Sequence, residues 1–172
     1  FLDDSSAWNA LKLSDLQKSG IRAARAFVER ELTERLMRDG ITFLLPSDPG
    51  FPDAVLRQPD PPFALFIRGA QIRDGLRVAV VGTRRMTEYG RRATELISRE
   101  LAGHGVTVVS GLALGVDAAA HAACVDAGGT TIAVLPGGVD DASLAPPRHR
   151  ELARRIVEHG GTIVSERAPG AD

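Results

Sequence analysis

A doubly wound, mainly parallel α/β sheet with a small helical domain ahead of it is the fold this sequence predicts, on three observations. The runs at 78–81, 106–109, 130–135 and 162–164 are short and continuously apolar, the pattern of strands buried on both faces. Three of them break at glycine, at Gly82, at Ser110-Gly111 and at Pro136-Gly137-Gly138. Helix-length segments separate them, so right-handed crossovers carry one strand to the next.

In chain order, residues 1–40 read as the helical domain. Ser14-Asp15 is a plausible cap, Ile21, Ala24, Phe27, Val28, Leu32 and Leu36 follow at helical spacing, and Asp39-Gly40 ends the run. Its charges alternate in sign from Arg22 to Arg35 and read as a solvated face, and Trp8 reads as a hydrophobic anchor. Residues 41–172 form the α/β domain. Ile41-Thr42-Phe43-Leu44-Leu45 is a short strand, Pro52 opens a short helix through Leu56, and Pro59, Pro61 and Pro62 force an extended path into a second strand, 63–67, ended by Gly69. This pair is expected to join the edge of the main sheet.

Residues 88–102 carry Ala93, Leu96, Ile97 and Leu101 at helical spacing, which predicts that these four face inward, with Arg91, Arg92, Glu95, Arg99 and Glu100 outside. Gly103-His104-Gly105 stops this helix. Residues 116–127 are rich in alanine and can lie close against a neighbour. Residues 148–158 supply another helix, with Leu152, Ile156 and Val157 inward, before the last strand ends at Ser165-Glu166.

Composition narrows the function. In 172 residues, 44% apolar and 25% charged side chains describe a soluble globular chain. A net charge of -1 supplies no general attraction for nucleic acid, so any such attraction has to be local. Nearly all positive charge is arginine, with Lys12 and Lys18 the two lysines. One cysteine, Cys124, excludes a disulfide framework and the usual zinc clusters. No leader and no bilayer-length apolar run is visible, which places the expected site of action in the cytoplasm and off the membrane. A start at Phe1 and an end on Gly170-Ala171-Asp172 read as a fragment or trimmed chain.

In parallel sheets, ligands sit beyond the carboxyl ends of the strands. Gly82-Thr83-Arg84 suits a phosphate there: glycine admits it to the backbone, the hydroxyl donates, and the guanidinium supplies a forked cation. A tight turn with solvated arginines explains the same residues. No dinucleotide fingerprint and no Walker lysine is present. Ser110, Asp117 and His121 are the three residue types of a hydrolytic triad, but Asp117 and His121 lie i, i+4 on one helix and Ser110 is not in G-x-S-x-G. Asp117 reads instead as a cap or a tie to the Gly115 loop. His121 and Cys124 lack further metal ligands, so no metal, cofactor or catalytic residue is assigned. Glu166 reads as a sugar-hydroxyl partner or a solvated carboxylate.

Taken together, Val80-Val81-Gly82-Thr83-Arg84, Tyr89-Gly90, Ser110 through Asp117 with Ala120-His121, Gly137-Gly138-Val139-Asp140 and Ser165-Glu166 resemble the DNA-processing protein A family (DprA, also called Smf). Ser47 through Pro52 and Pro61 through Gly69 are similar to its lead-in. The resemblance covers about 41–170. It implies an extended Rossmann-like domain that binds single-stranded DNA and loads the RecA recombinase during natural transformation, without turnover and as a homodimer. It further implies that Gly82, Thr83, Arg84, Ser110, Gly111 and Gly115 line a DNA-phosphate pocket with Gly137 and Gly138 nearby; Arg85 is added as a secondary contact. Leu114 stands where the family carries a basic residue, and Ala145-Pro146 and His149 stand where it carries Tyr-Pro and Asn. Two other readings stay open. Pro136-Gly137-Gly138 also resembles the glycine motif of nucleotide phosphoribohydrolases, and a scaffold with a vestigial crevice would bind a protein partner.

Overall fold

The computed structural model describes Ser19 and residues 30–171. Apart from Ser19, the helical signals over residues 1–29, Trp8 included, lie outside the described residues. The chain divides into two compact units between Arg38 and Asp39. In the first, residues 30–38 are helical.

The second unit is organised by six strands: β1 (Ile41–Leu44), β2 (Leu65–Gly69), β3 (Arg77–Ala79), β4 (Thr107–Ser110), β5 (Thr131–Val134) and β6 (Thr162–Ser165). Their order in the sheet is β1-β2-β6-β5-β4-β3. β3, β4, β5 and β6 run parallel, with Val109 opposite Ile132 and Val134 opposite Val164. β2 lies antiparallel on β6 and β1 antiparallel on β2, so the early pair extends the edge of the sheet as its proline-bounded sequence predicts. The carboxyl ends of four neighbouring strands therefore share one edge. Four helices connect them: α1 (Asp53–Leu56), α2 (Glu88–Gly103), α3 (Val116–Asp126) and α4 (Arg150–Glu158), the last preceded by a 3-10 turn, Pro147–His149.

Sequential parallel strands joined by right-handed crossovers put α2, α3 and α4 side by side on one face. There Val108 of β4 packs with Ala120 and Cys124 of α3, against Val80, Leu101 and Ala102. Ala153 and Ile156 of α4 are fully buried. The other face carries Leu44, Leu65, Ile67, Ile132 and Val164, covered at the β1–β2 end by Phe51 and by Val55 of α1. Over Val109, Ile132 and Val134 that face stays open as an apolar groove of about 580 Å³.

The inward face of α2 differs from expectation. Leu96 and Ile97 are 62% and 52% exposed, and Thr94 and Ser98 are the buried positions. The alanine-rich side of α3 explains the reversal, because two helices approach closely where both present small side chains. Thr94 keeps its hydroxyl satisfied by donating to the Gly90 carbonyl, 2.8 Å away. In α4, Ala153 and Ile156 point inward while Leu152 and Val157 are half-buried.

Candidate functional site

The loop after β3 and the turn between β4 and α3 are built against each other at the carboxyl edge. Gly115, the residue that opens α3, has φ +81, and a Cβ there would lie 2.2 Å from the Thr83 carbonyl oxygen. A Cβ on Gly82 would lie 2.9 Å from the Val116 side chain. Gly115 is required by the close approach of two backbones, and Gly82 by the packing of the Val116 side chain against it. The Val116 N–H donates to the Thr83 carbonyl at 3.2 Å, which fixes the loop on the helix N-terminus.

Three side chains then fasten three consecutive residues. The Ser110 hydroxyl, buried, donates to the Val80 carbonyl at 2.7 Å. The Gly111 N–H donates to Asp117 Oδ2 at 3.1 Å, the loop tie anticipated for that carboxylate. Leu112, fully buried, has φ 55, a left-handed conformation that costs a non-glycine residue on the order of 1–3 kcal/mol. Its carbonyl accepts from His149 Nδ1 at 2.7 Å, which sets the ring as the Nδ1–H tautomer. His149 is the residue sequence reading left out of the site; it lies 37 positions from its partner.

Beneath the turn, His121 is fully buried with Nδ1 2.7 Å from Thr131 Oγ1, whose own hydroxyl donates to the Val108 carbonyl. Nδ1 therefore carries the hydrogen, and Nε2 has no hydrogen-bond partner. Burial pulls the imidazole down to about 4, and it stays neutral near pH 7. This geometry supplies no nucleophile–base pair with Ser110, whose hydroxyl is spent on the Val80 carbonyl just past β3. Burial likewise pushes the Cys124 thiol up. Among the described residues no group of three or more His, Cys, Asp or Glu is placed to hold a metal, and no helix is long and apolar enough to cross a membrane.

What faces solvent at this edge is Gly82-Thr83-Arg84-Arg85. Thr83 Oγ1 accepts from the Arg85 N–H at 3.1 Å, closing the turn and leaving the hydroxyl proton free to donate outward. The amides of Gly82, Thr83 and Arg84 have no acceptor among the described residues. Arg84 and Arg85, like Arg148 and Arg150 beside His149, have no carboxylate partner there either. Arg91 instead contacts Glu88 and Glu95, each at 2.6 Å, and Arg154 contacts Glu151 at 2.5 Å.

Of the predicted site residues, Thr83 and Arg84 lie against Gly115, Gly82 packs on Val116, and Ser110 and Gly111 begin the same turn, Ser110 tied to Val80 and Gly111 to Asp117. Gly137 and Gly138 follow β5 at the same carboxyl edge, two strands from the Gly82 loop. The Gly138 amide donates to the Ala171 carbonyl at 2.9 Å, and a Cβ on it would lie 2.9 Å from the Ala168 carbonyl. Gly137 lines a small cavity of about 230 Å³ with Leu135, Pro136, Ser143 and Ala145. Glu166 is exposed. The large groove lies on the opposite face of the sheet from Val108 and α3; its lining is mainly aliphatic, with Gln58, Arg77, Glu166 and Arg167 among its polar side chains.

The model of a family described as DNA recombination-mediator protein A matches residues 42–172. Protein Smf of Escherichia coli strain K12 is 42% identical over 125 residues, which are 72% of this chain and 33% of that protein. The DNA processing protein DprA of Bacillus subtilis is 36% identical over 112 residues, 64% of this chain and 37% of that one. The chain thus spans about a third of the length of these curated relatives. Among solved structures, DNA processing protein A of Helicobacter pylori, described for its single-stranded DNA binding mode, superimposes with a TM-score of 0.63 at 31% identity over 77% of this chain and 58% of its own. DprA of Streptococcus pneumoniae gives 0.66 at 29% identity over 81% and 49%.

Proposed function

Because the chain belongs to the DNA recombination-mediator protein A family, we propose that its carboxyl edge binds the phosphate backbone of single-stranded DNA, without turnover. One observation carries this reading: the exposed Gly82-Thr83-Arg84 loop offers free amides, a hydroxyl and an unpaired guanidinium in one place. Loop amides and Thr83 hold a phosphate by hydrogen bonds, Arg84 adds a charged fork, and Arg85 meets the next phosphate. Contacts of this kind ignore base identity, so binding is sequence-tolerant and salt-sensitive. The Helicobacter pylori relative, described by its single-stranded DNA binding mode, supports the same ligand.

At the level of the intact protein, the reading extends to DNA processing in transformation, transfer of the bound strand to the RecA recombinase in the cytoplasm, and action as a homodimer. Gly138 counts against the nucleotide-enzyme reading, since its amide is already engaged and its α-carbon enclosed.

Fluorescence anisotropy of a labelled single-stranded oligonucleotide over a salt series tests the proposal. Wild type should bind, and Arg84→Ala should weaken every sequence alike, roughly tenfold, flattening the log–log salt slope by about 0.7 for one lost phosphate contact. Displacement by a mononucleotide, or a slope untouched by the substitution, would overturn it.

A further inference from the structure

The His149–Leu112 hydrogen bond is a direct link between two segments of the edge that the fold otherwise brings up separately. Leu112 belongs to the turn after β4 and is tied through Gly111 to Asp117 at the start of α3. His149 ends the 3-10 turn after β5 and stands between the unpaired, exposed Arg148 and Arg150. Its imidazole is half-buried and its ring N–H is directed at a backbone carbonyl. That carbonyl belongs to the one described non-glycine residue held at positive φ.

We infer that His149 is a positioning residue for the DNA-phosphate site: by holding the Leu112 carbonyl it fixes the 111–115 turn and sets its register against Arg148 and Arg150. The inference rests on the single-stranded DNA reading and assigns this site a second half. Ser110 and Asp117 anchor the turn to β3 and α3, and His149 anchors it to the start of α4. Without the third tie, Leu112 has less to hold it in its left-handed conformation. Gly115, which carries Thr83 and Arg84 by backbone contact, would then move with the turn. Arg148 and Arg150 keep their charge and still reach a phosphate backbone, so the loss falls on the ordering of the turn and not on the number of phosphate contacts. His149 itself does not contact phosphate, because its N–H is already committed to protein.

A comparison of the full chain with His149→Ala, His149→Asn and Arg84→Ala tests this. Asparagine places its amide nitrogen where histidine carries Nδ1, so it can restore the bond. His149→Ala should bind a single-stranded oligonucleotide roughly three- to tenfold more weakly, the equilibrium worth of one hydrogen bond, with the salt slope unchanged because no cation is lost. His149→Asn should recover to within about twofold of wild type by the same measure. Arg84→Ala should flatten the slope. Amide hydrogen exchange, which needs no DNA, should show faster exchange at 111–115 in His149→Ala and its reversal in His149→Asn, with the sheet protected in both. Unchanged binding and unchanged exchange in His149→Ala overturn the inference, and a flattened slope in that variant overturns it by making His149 a direct phosphate ligand. If wild type fails to bind, the single-stranded DNA reading falls and the role at phosphate with it, while the exchange data still decide whether His149 holds the turn.

Discussion

Arginine is used in two ways within the α/β unit. On the outer face of α2, Arg91 and Arg92 both reach Glu88, and Arg91 also reaches Glu95; on α4, Arg154 lies between Glu151 and Glu158. Helical spacing supplies each cation with a carboxylate three or four residues away. The loop that carries Arg84 and Arg85 has no such periodicity. The nearest carboxylate along the chain, Glu88, is doubly occupied, and its hydrogen bonds to Arg91 and then to Arg92 hold it below the usual carboxylate range. A net charge of -1 thus conceals neutralised helices beside a loop whose arginines have no carboxylate partner among the described residues. Local pairing, more than the sum of charges, decides where an anion is drawn.

The contrast between edge and helix faces can be broken most sharply at glycine. Gly115→Ala forces a Cβ toward the Thr83 carbonyl at a backbone angle suited to glycine, and should cost roughly 2–4 kcal/mol in urea unfolding and abolish oligonucleotide binding. Gly103→Ala, at the end of α2 with open space around it, should be neutral or slightly stabilising by the same measurement.

Acid should separate the two regions next. The buried His121 titrates at about 4 against an ordinary 6.5, so the unfolded chain takes up its proton first as pH falls. Stability from this group is complete above about 6.5 and is lost progressively down to about 4, on the order of 3 kcal/mol in all. His121→Leu should flatten that limb of the stability–pH curve. The helix-face pairs should persist over the same interval, because Glu88 and Glu151 are both held low by their arginines.

The smallest effects belong to single arginines. Against the roughly tenfold loss expected for Arg84→Ala, Arg91→Ala and Arg154→Ala should each change oligonucleotide binding by less than about twofold and leave the salt slope intact, since exposed pairs contribute little. Equal losses from all three would erase the distinction between the regions.

The strands were legible as short, continuously apolar runs, and β4, β5 and β6 fall where those runs predict, although burial on both faces, expected from the same runs, holds only in part: Val134 is 49% exposed over the open groove. The placement of α2 was legible; its buried side was not. Periodicity marks Leu96 and Ile97 as one stripe but says nothing of which side a small-residue neighbour such as α3 will accept. At the site, glycines after strand ends located the loop, and Asp117 was readable as its tie because both lie within a few residues. His149 was not, since its partnership with Leu112 depends on α4 beginning at the same edge after another whole crossover. Gly138 sits at a strand end like Gly82 and Gly111, and only the fold shows it packed against the 168–171 backbone.

The three ties on Ser110, Gly111 and Leu112 also bear on folding order. They reach across 30, 6 and 37 residues to β3, α3 and the approach to α4. Contacts of long sequence separation form only after the entropy of closing the intervening loops has been overcome. The turn therefore takes its final shape after all three elements have docked, and a partly folded chain does not yet present the finished site.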